Sequence, residues 1–262
     1  MAGSDAMLAG ITVWVTRPAH QAGDLCRMIE QRKGVPLPLP TLVIRPFTEA
    51  RTEENRVLLA HADITVFISK NAVIHALDLF PDIADTVRGK TVLAVGQATA
   101  RCLTASGFDM VGHAGAGGTE ALLRLPQLNE TSIKDKRIVI IRGQGGREEL
   151  RDGLLAWGAV VDYLEVYQRD KPDMSEAEMT EFWQNQRPEA VIITSLAGLD
   201  NLVELTPAAE SDRLLGTPMV VMSERIRQHA MESGFLRVAA ASDNSDAGLV
   251  DALLDISGSM KK

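Results

Sequence analysis

The feature that most limits how this chain can fold is an internal repeat. Four pairs of landmarks recur at a nearly constant distance. Arg17 and Arg142, each placed after an apolar β-branched run, lie 125 residues apart. Ser69 in VFISKNAV and Ser195 in VIITSLAGL lie 126 apart, Gly96 in VLAVGQATA and Ser223 in VVMSERIRQ 127, and Thr119 and Ser245 126. Gly107-Phe108 follows Gly96 by 11 residues, and Gly234-Phe235 follows Ser223 by the same 11. Short strand–helix units resemble one another, so single matches come free. A shared spacing across four landmarks does not, and it predicts two similar α/β units.

The stretch Arg137–Arg169, RIVIIRGQGGREELRDGLLAWGAVVDYLEVYQR, shows the plan of each unit. Ile138–Ile141 is an uninterrupted β-branched run, the pattern of a strand buried on both faces of a parallel sheet. Gly143, Gly145 and Gly146 make a loop, Glu148 and Glu149 open a helix, and Gly158 ends it. A Gly-rich loop between a buried strand and a helix start presents backbone N–H groups to an anion. Near the N-terminus the same plan reads strand Ile11–Val15, Arg17, helix His20–Lys33, Gly34 and an extended Leu37–Arg45. Further strands are expected at Ile64–Ile68, Thr91–Val95, Ala190–Ile193, Met219–Met222 and Arg237–Ala240. Alternating strands and helices imply parallel sheets covered on both faces, with ligands beyond the carboxyl ends of the strands. Arg17, Ser69, Gly96, Gly143, Ser195 and Ser223 all fall at such ends.

Pro36, Pro38 and Pro40 alternate with apolar residues, which excludes a helix and a central strand. This segment and Val160–Arg169 occupy equivalent places in the repeat. The two are expected to pair as a two-stranded ribbon through which the chain leaves its first domain and returns. The expected divisions are 10–38 plus 171–256 for domain 1, 46–160 for domain 2, and 39–45 with 161–170 as linker strands. Residues 1–9 and 257–262 are expected to be disordered.

Composition narrows the function. The 262 residues carry a net charge of −8, which argues against a nucleic-acid partner but not against a small anion in a locally basic cleft. Cys26 and Cys102 both fall in expected helices and read as reduced, buried thiols. No apolar run is long enough for a membrane span, and the first residues resemble no signal peptide, so the expected location is the cytoplasm. His20, His61, His75, His113 and His229 lack metal-ligand spacing. No Walker loop, dinucleotide fingerprint or nucleophile elbow is present. Each serine at a strand end taken singly is a helix cap; as a set they line a cleft with hydroxyls and N–H groups. Arg17, Arg142 and Arg147 are either solvated charges or anion contacts, and several such contacts would suit a polycarboxylate. Tyr167, one of two tyrosines, either packs or offers a hydroxyl. The set suits an enzyme that positions a reactive anionic molecule.

In order and spacing, VTRP (Val15–Pro18), FISKNAV (Phe67–Val73), VGQATA (Val95–Ala100), IRGQGGREEL (Ile141–Leu150), LEVYQR (Leu164–Arg169) and TSLAGL (Thr194–Leu199) resemble the uroporphyrinogen-III synthase family over residues 11–256. The resemblance implies two flavodoxin-like, internally duplicated parallel-sheet α/β domains joined by a two-stranded β-ladder, with the site in the cleft between them. It implies a lyase that takes hydroxymethylbilane, a linear tetrapyrrole with an acetate and a propionate on each ring. Loss of the hydroxyl gives an azafulvene cation, and ring D is inverted through a spiro intermediate before closure to uroporphyrinogen III. Neither cofactor nor metal is implied. The expected state is a monomer, with hydroxymethylbilane synthase as a transient partner handing over substrate, and no membrane or nucleic-acid partner.

By the same resemblance Tyr167 is the general acid that assists loss of the hydroxyl. Ser69, Asn71, Gly96, Thr99, Gly143 and Arg147 match cleft-lining positions, and Arg17, Ser195 and Ser223 would face them from the other domain. One departure stands out. Many relatives carry Gly followed by a Thr-Thr-Ala-like sequence where this chain has Ser223-Glu224-Arg225-Ile226, so threonine contacts do not carry over. Glu224 would bring negative charge near an anionic substrate unless it points away, with Arg225 as a candidate to compensate. Two other readings use the same cleft: a two-domain small-molecule binding module without turnover, and a nucleotide-sugar transferase.

Overall fold

In a computed structural model, residues 8–115 and 118–258 are described. The chain divides into two compact units, the first holding the chain up to Val43 and from Asp170 onward, the second Ile44–Arg169. The first begins with β1 (Thr12–Val15), α1 (Ala19–Gln31) and β2 (Val35–Pro38). The second runs β3 (Val43–Pro46), α2 (Glu53–His61), β4 (Ile64–Phe67), α3 (Lys70–Leu79), α4 (Ile83–Thr86), β5 (Thr91–Ala94), α5 (Gln97–Ala105) and β6 (Val111–His113). It continues α6 (Gly118–Leu123), α7 (Glu130–Ile133), β7 (Arg137–Gly143), α8 (Glu149–Ala156) and β8 (Val160–Asp170). The chain then completes the first unit with α9 (Glu176–Asn185), β9 (Ala190–Ile193), α10 (Leu196–Leu205), α11 (Ser211–Gly216), β10 (Met219–Val221), α12 (Glu224–Glu232), β11 (Val238–Ala240) and α13 (Asp246–Gly258).

The sheet of the first unit has the order β11-β10-β9-β1-β2, with parallel pairings throughout. Counted along the chain within the unit, that is the doubly wound order 2-1-3-4-5 read from the β2 edge. The sheet of the second unit has the order β3-β8-β7-β4-β5-β6. Matching strands by the repeat distance sets β7 against β1, β8 against β2, β4 against β9, β5 against β10 and β6 against β11. The five matched strands then share one spatial order, which is compatible with duplication.

Each sheet is buried on both faces, as its unbroken apolar strands require. β4 and β9 are buried at every residue. In the first unit Val13 and Val15 pack against α1 and α13, while Trp14 packs on the opposite face against Met179 and Trp183 of α9. In the second, Phe67 lies on the face covered by α3 and α5, and Val66 on that covered by α6 and α8. The alternating prolines are explained by the edge position of β2. Val35 and Leu39 donate their N–H groups to Ile11 and Val15 carbonyls at 2.8 and 3.0 Å. Pro36 and Pro38 turn toward the open edge, where an N–H has no strand to meet.

The expected linkers are more deeply built in than the sequence suggests. Val160–Tyr167 pairs with β7 from Arg137↔Val160 to Gly143↔Tyr167, so 161–170 is a strand of the second sheet as well as the return path. Leu39 belongs to the first unit's core, and buried Thr41 donates to the Gly198 carbonyl at 2.8 Å. β3 lies beside β8, with the Phe47 N–H donating to the Val166 carbonyl at 3.0 Å. At the ends, Leu8 is fully buried and its N–H donates to the Arg32 carbonyl, so Leu8 and Ala9, expected with the disordered start, are structured. The last helix includes residues 257 and 258, expected in the tail. The disorder expected of 1–7 and 259–262 lies outside the described residues.

Candidate functional site

In the second unit the carboxyl ends of β7, β4 and β5 stand side by side. Ser69, just after β4, caps α3 by accepting the Ala72 N–H at 3.1 Å. Gly96, just after β5, takes the same extended conformation at the start of α5, and a Cβ there would meet nothing closer than 3.9 Å. Thr99 is buried one turn into α5, and Asn71 is half-buried in the first turn of α3.

Tyr167 reaches this edge because of a bulge. Between Arg142↔Glu165 and Gly143↔Tyr167, β8 spends one residue more than β7. A bulge puts consecutive side chains on one side and re-aims the side chains beyond it. Leu164, Val166 and Tyr167 all join the face packed by α3, whereas unbroken alternation would have put Tyr167 with Val161 and Tyr163 on the other. The ring is 1 % exposed. Gly143 lies flat against it, since a Cβ there would stand 2.4 Å from the Tyr167 Cε2. The phenol oxygen lies 3.2 Å from the Ser69 Oγ and accepts from Arg169 Nη2 at 3.0 Å. The Arg169 guanidinium also lies 5.2 Å from the ring centroid, and His75 tilts against the ring at 5.7 Å. The structure therefore brings Ser69, Gly143 and Tyr167 together.

Beside them is a cavity of about 290 Å³. Ile68, Val95, Ile140 and Leu150 form part of its apolar wall; Arg142, Arg147, Arg169 and Glu149 are its charged residues. With Arg142 already paired with Glu148, Arg147 and Arg169 against Glu149 leave an excess of positive charge that favours an anionic guest. Arg142 differs from its expected role as an anion contact. Only 3 % exposed, it donates to the carbonyls of Gly143 (3.2 Å), Arg147 (3.4 Å) and Gly145, and to Glu148 Oε1 (3.3 Å). Gly145 and Gly146 have φ of +66° and +106°, a region that glycine enters without strain, and this turns the loop onto Arg142. The loop's N–H groups are also partly engaged: Gly145 donates to Glu165 Oε1 at 3.0 Å and Gln144 to the Tyr167 carbonyl at 2.7 Å.

Tyr163 completes the clamp. Its ring lies 4.3 Å under Arg142, and its hydroxyl donates to Glu148 Oε2 at 2.6 Å. Burial, then the bond to Glu148, pushes the Tyr163 hydroxyl up to about 12. The same bond, with Arg142 and Arg151 nearby, holds the Glu148 carboxyl below its ordinary range. Sequence reasoning left Tyr163, Glu148, Glu165 and Arg169 out of the site. Arg169 was within reach of it, because residues two apart on a strand share a face.

In the first unit Arg17, Ser195 and Ser223 follow β1, β9 and β10, three neighbouring strands. Arg17 is paired with Asp246 at 2.6 Å. Ser195 caps α10 by accepting the Gly198 N–H at 3.0 Å; Ser223, in the same extended conformation, makes no such cap bond. The charge of Glu224 is met by Arg227, with contacts of 2.8 and 2.5 Å, rather than by the candidate Arg225. Among the described residues, no group of three or more His, Cys, Asp or Glu is placed to hold a metal, and no helix is long and apolar enough to cross a membrane.

Comparison with known proteins bears on the fold and the family. Solved structures of uroporphyrinogen-III synthetase from Helicobacter pylori (TM-score 0.65, 15 % identity, 94 % of this chain and 99 % of that one) and a mutant uroporphyrinogen III synthase from Thermus thermophilus (TM-score 0.57, 13 %, 96 % and 100 %) share the fold. The uroporphyrinogen-III synthase of Salmonella typhimurium is 33 % identical over 248 residues, 93 % of this chain and 98 % of its own length. That of Escherichia coli is 32 % identical over the same coverage. The model of the family described as Uroporphyrinogen-III synthase HemD matches residues 24–251, and with relatives this similar along nearly their whole length, the chain belongs to the uroporphyrinogen-III synthase family.

Proposed function

We propose that this protein cyclises hydroxymethylbilane with inversion of ring D and loss of water, giving uroporphyrinogen III. It is a lyase of haem biosynthesis, as its family membership supports. The observation that carries the chemistry is the Ser69–Tyr167–Arg169 chain beside an arginine-lined cavity. The substrate bears acetate and propionate groups, and cations in a partly desolvated pocket hold and orient them. Tyr167 gives its proton to the departing hydroxyl. The carbon–oxygen bond breaks with its electron pair on oxygen, water leaves, and the azafulvene cation remains opposite a phenolate. Ring closure through the spiro intermediate ends with loss of a proton, which restores the phenol. Ser69 holds the phenol oxygen in place, and Gly143 supplies the flat surface that the ring requires.

Gly96, Thr99, Asn71 and Arg147 complete the substrate contacts in this reading, with Arg17, Ser195 and Ser223 contributing from the first unit. The reading includes turnover as a cytoplasmic monomer with transient hand-over from hydroxymethylbilane synthase. The experiment is a coupled assay in which hydroxymethylbilane is generated in situ and the products are oxidised and separated by isomer. Isomer III in excess over spontaneous isomer I is the expected result, and folded protein giving isomer I alone overturns the reading. Tyr167→Phe should keep the fold and lose about a hundredfold or more in kcat, the usual contribution of a general acid. Undiminished turnover would remove Tyr167 from the mechanism.

A further inference from the structure

We propose that Arg169 is a positioning residue for Tyr167, linking a carboxylate held in the 290 Å³ cavity to the phenol that gives up its proton. The inference rests on the reading of Tyr167 as the acid. Tyr167 is buried and is not among the cavity-lining residues; Arg169 is exposed and is among them. Arg169 Nη2 donates to the phenol oxygen at 3.0 Å while its guanidinium stands 5.2 Å from the ring centroid. A guanidinium carries five N–H donors in a rigid fork, so one side-chain plane can hold the phenol oxygen and a carboxylate together.

Arg169 engages one acceptor site of the phenol oxygen, because a guanidinium only donates. Ser69 Oγ already accepts the Ala72 N–H, and its own hydroxyl is 3.2 Å from the phenol oxygen. Ser69 and Tyr167 can each donate to the other; when the Ser69 hydroxyl donates, the phenol oxygen accepts two bonds and its own proton is left for substrate. When that proton moves to the departing hydroxyl, the negative charge on the phenol oxygen develops against a guanidinium already in place. A substrate carboxylate that fixes Arg169 in the cavity thereby fixes the direction of the phenol proton. The other arginines of the cavity are placed differently. Arg142 is committed to the loop carbonyls, and Arg147 lies on the loop itself.

The test is a double-mutant cycle in the isomer-resolved assay, with Arg169→Met, Arg169→Lys, Tyr167→Phe and the double variant Arg169→Met/Tyr167→Phe. Arg169→Met should lower kcat about ten- to a hundredfold, the size of a lost charge-assisted hydrogen bond, and also raise KM. In the Tyr167→Phe background it should still raise KM but no longer lower kcat. Arg169→Lys, which keeps charge without the fork, should recover part of kcat. Thermal unfolding of each variant controls for misfolding, and Arg169→Gln substitutes if Arg169→Met is unstable. An equal fall in kcat with and without the Tyr167 hydroxyl would overturn the link between the two residues. Normal kcat for Arg169→Met beside an impaired Tyr167→Phe would overturn the role of Arg169 alone. Normal kcat for Tyr167→Phe would instead remove the reading on which the proposal rests.

Discussion

At the scale of single residues, the site is held by steric fits and hydrogen bonds that allow little substitution. Gly143 is required by the Tyr167 ring and not by its own backbone, since it does not take a positive φ. Gly143→Ala would drive the ring from its seat and from Ser69. Forcing atoms into a packed site costs about 1–3 kcal/mol. Urea unfolding should show a loss of that size together with lowered isomer III formation; an unchanged midpoint would mean that the ring moves freely. Tyr163 gives a pH prediction. Its folded pKa, about 12, stands above the ordinary 10.0, so the folded state keeps the proton longer. The stability that Tyr163 contributes is whole below about pH 10 and is lost as pH rises through about 12. Glu148 acts in the opposite direction: its contribution is present above its ordinary value of 4.5 and fades as pH falls through the lowered one. With two tyrosines in the chain, Tyr167→Phe leaves Tyr163 as the only one to titrate. Its tyrosinate absorbance should appear near pH 12; a midpoint near 10 would remove the account based on burial and Glu148.

At the scale of elements, caps and edges explain why the strands and helices fall where they do. α9 opens with a capping box: Glu178 N–H donates to Ser175 Oγ at 3.2 Å, and Ser175 N–H to Glu178 Oε2 at 2.8 Å. Ser175→Ala should lower unfolding stability by about 1 kcal/mol in urea titrations, and no change would mean that packing of Met179 and Trp183 alone holds the helix. Most long elements were legible because their periods are strong, including α1, expected at His20–Lys33 and found at Ala19–Gln31, and β9 at Ala190–Ile193. The short helices α4, α7 and α11 were not, because four to six residues carry too little period to read. Arg142 was legible as a residue after a buried strand but not in its task, which depends on how two left-handed glycines fold the loop back upon it.

At the scale of the whole molecule, the second unit is one continuous segment with cores on both faces of its own sheet, while the first is assembled from two segments. β1 and β2, from the first segment, extend that sheet beyond β9, so residues 170–258 alone lack two of its five strands and leave β9 as an unpaired edge. A fragment of residues 44–169 should unfold cooperatively on its own, and one of 170–258 should not. Circular dichroism melts check both, and a non-cooperative 44–169 would mean that its core depends on the rest of the chain. The alternation of strands and helices, the parallel sheets and the strand ends where polar groups gather could be read from local period and fixed spacing, and the family from motifs whose order resembles it. Which side of β8 carries Tyr167 could not be read that way. That choice depends on one extra residue opposite Arg142 and Gly143, a pairing between distant strands that no local pattern records. The bulge turns the phenol toward Ser69 and brings Arg169 onto it, so the surroundings of the proposed acid are set by a register defined only when two strands meet.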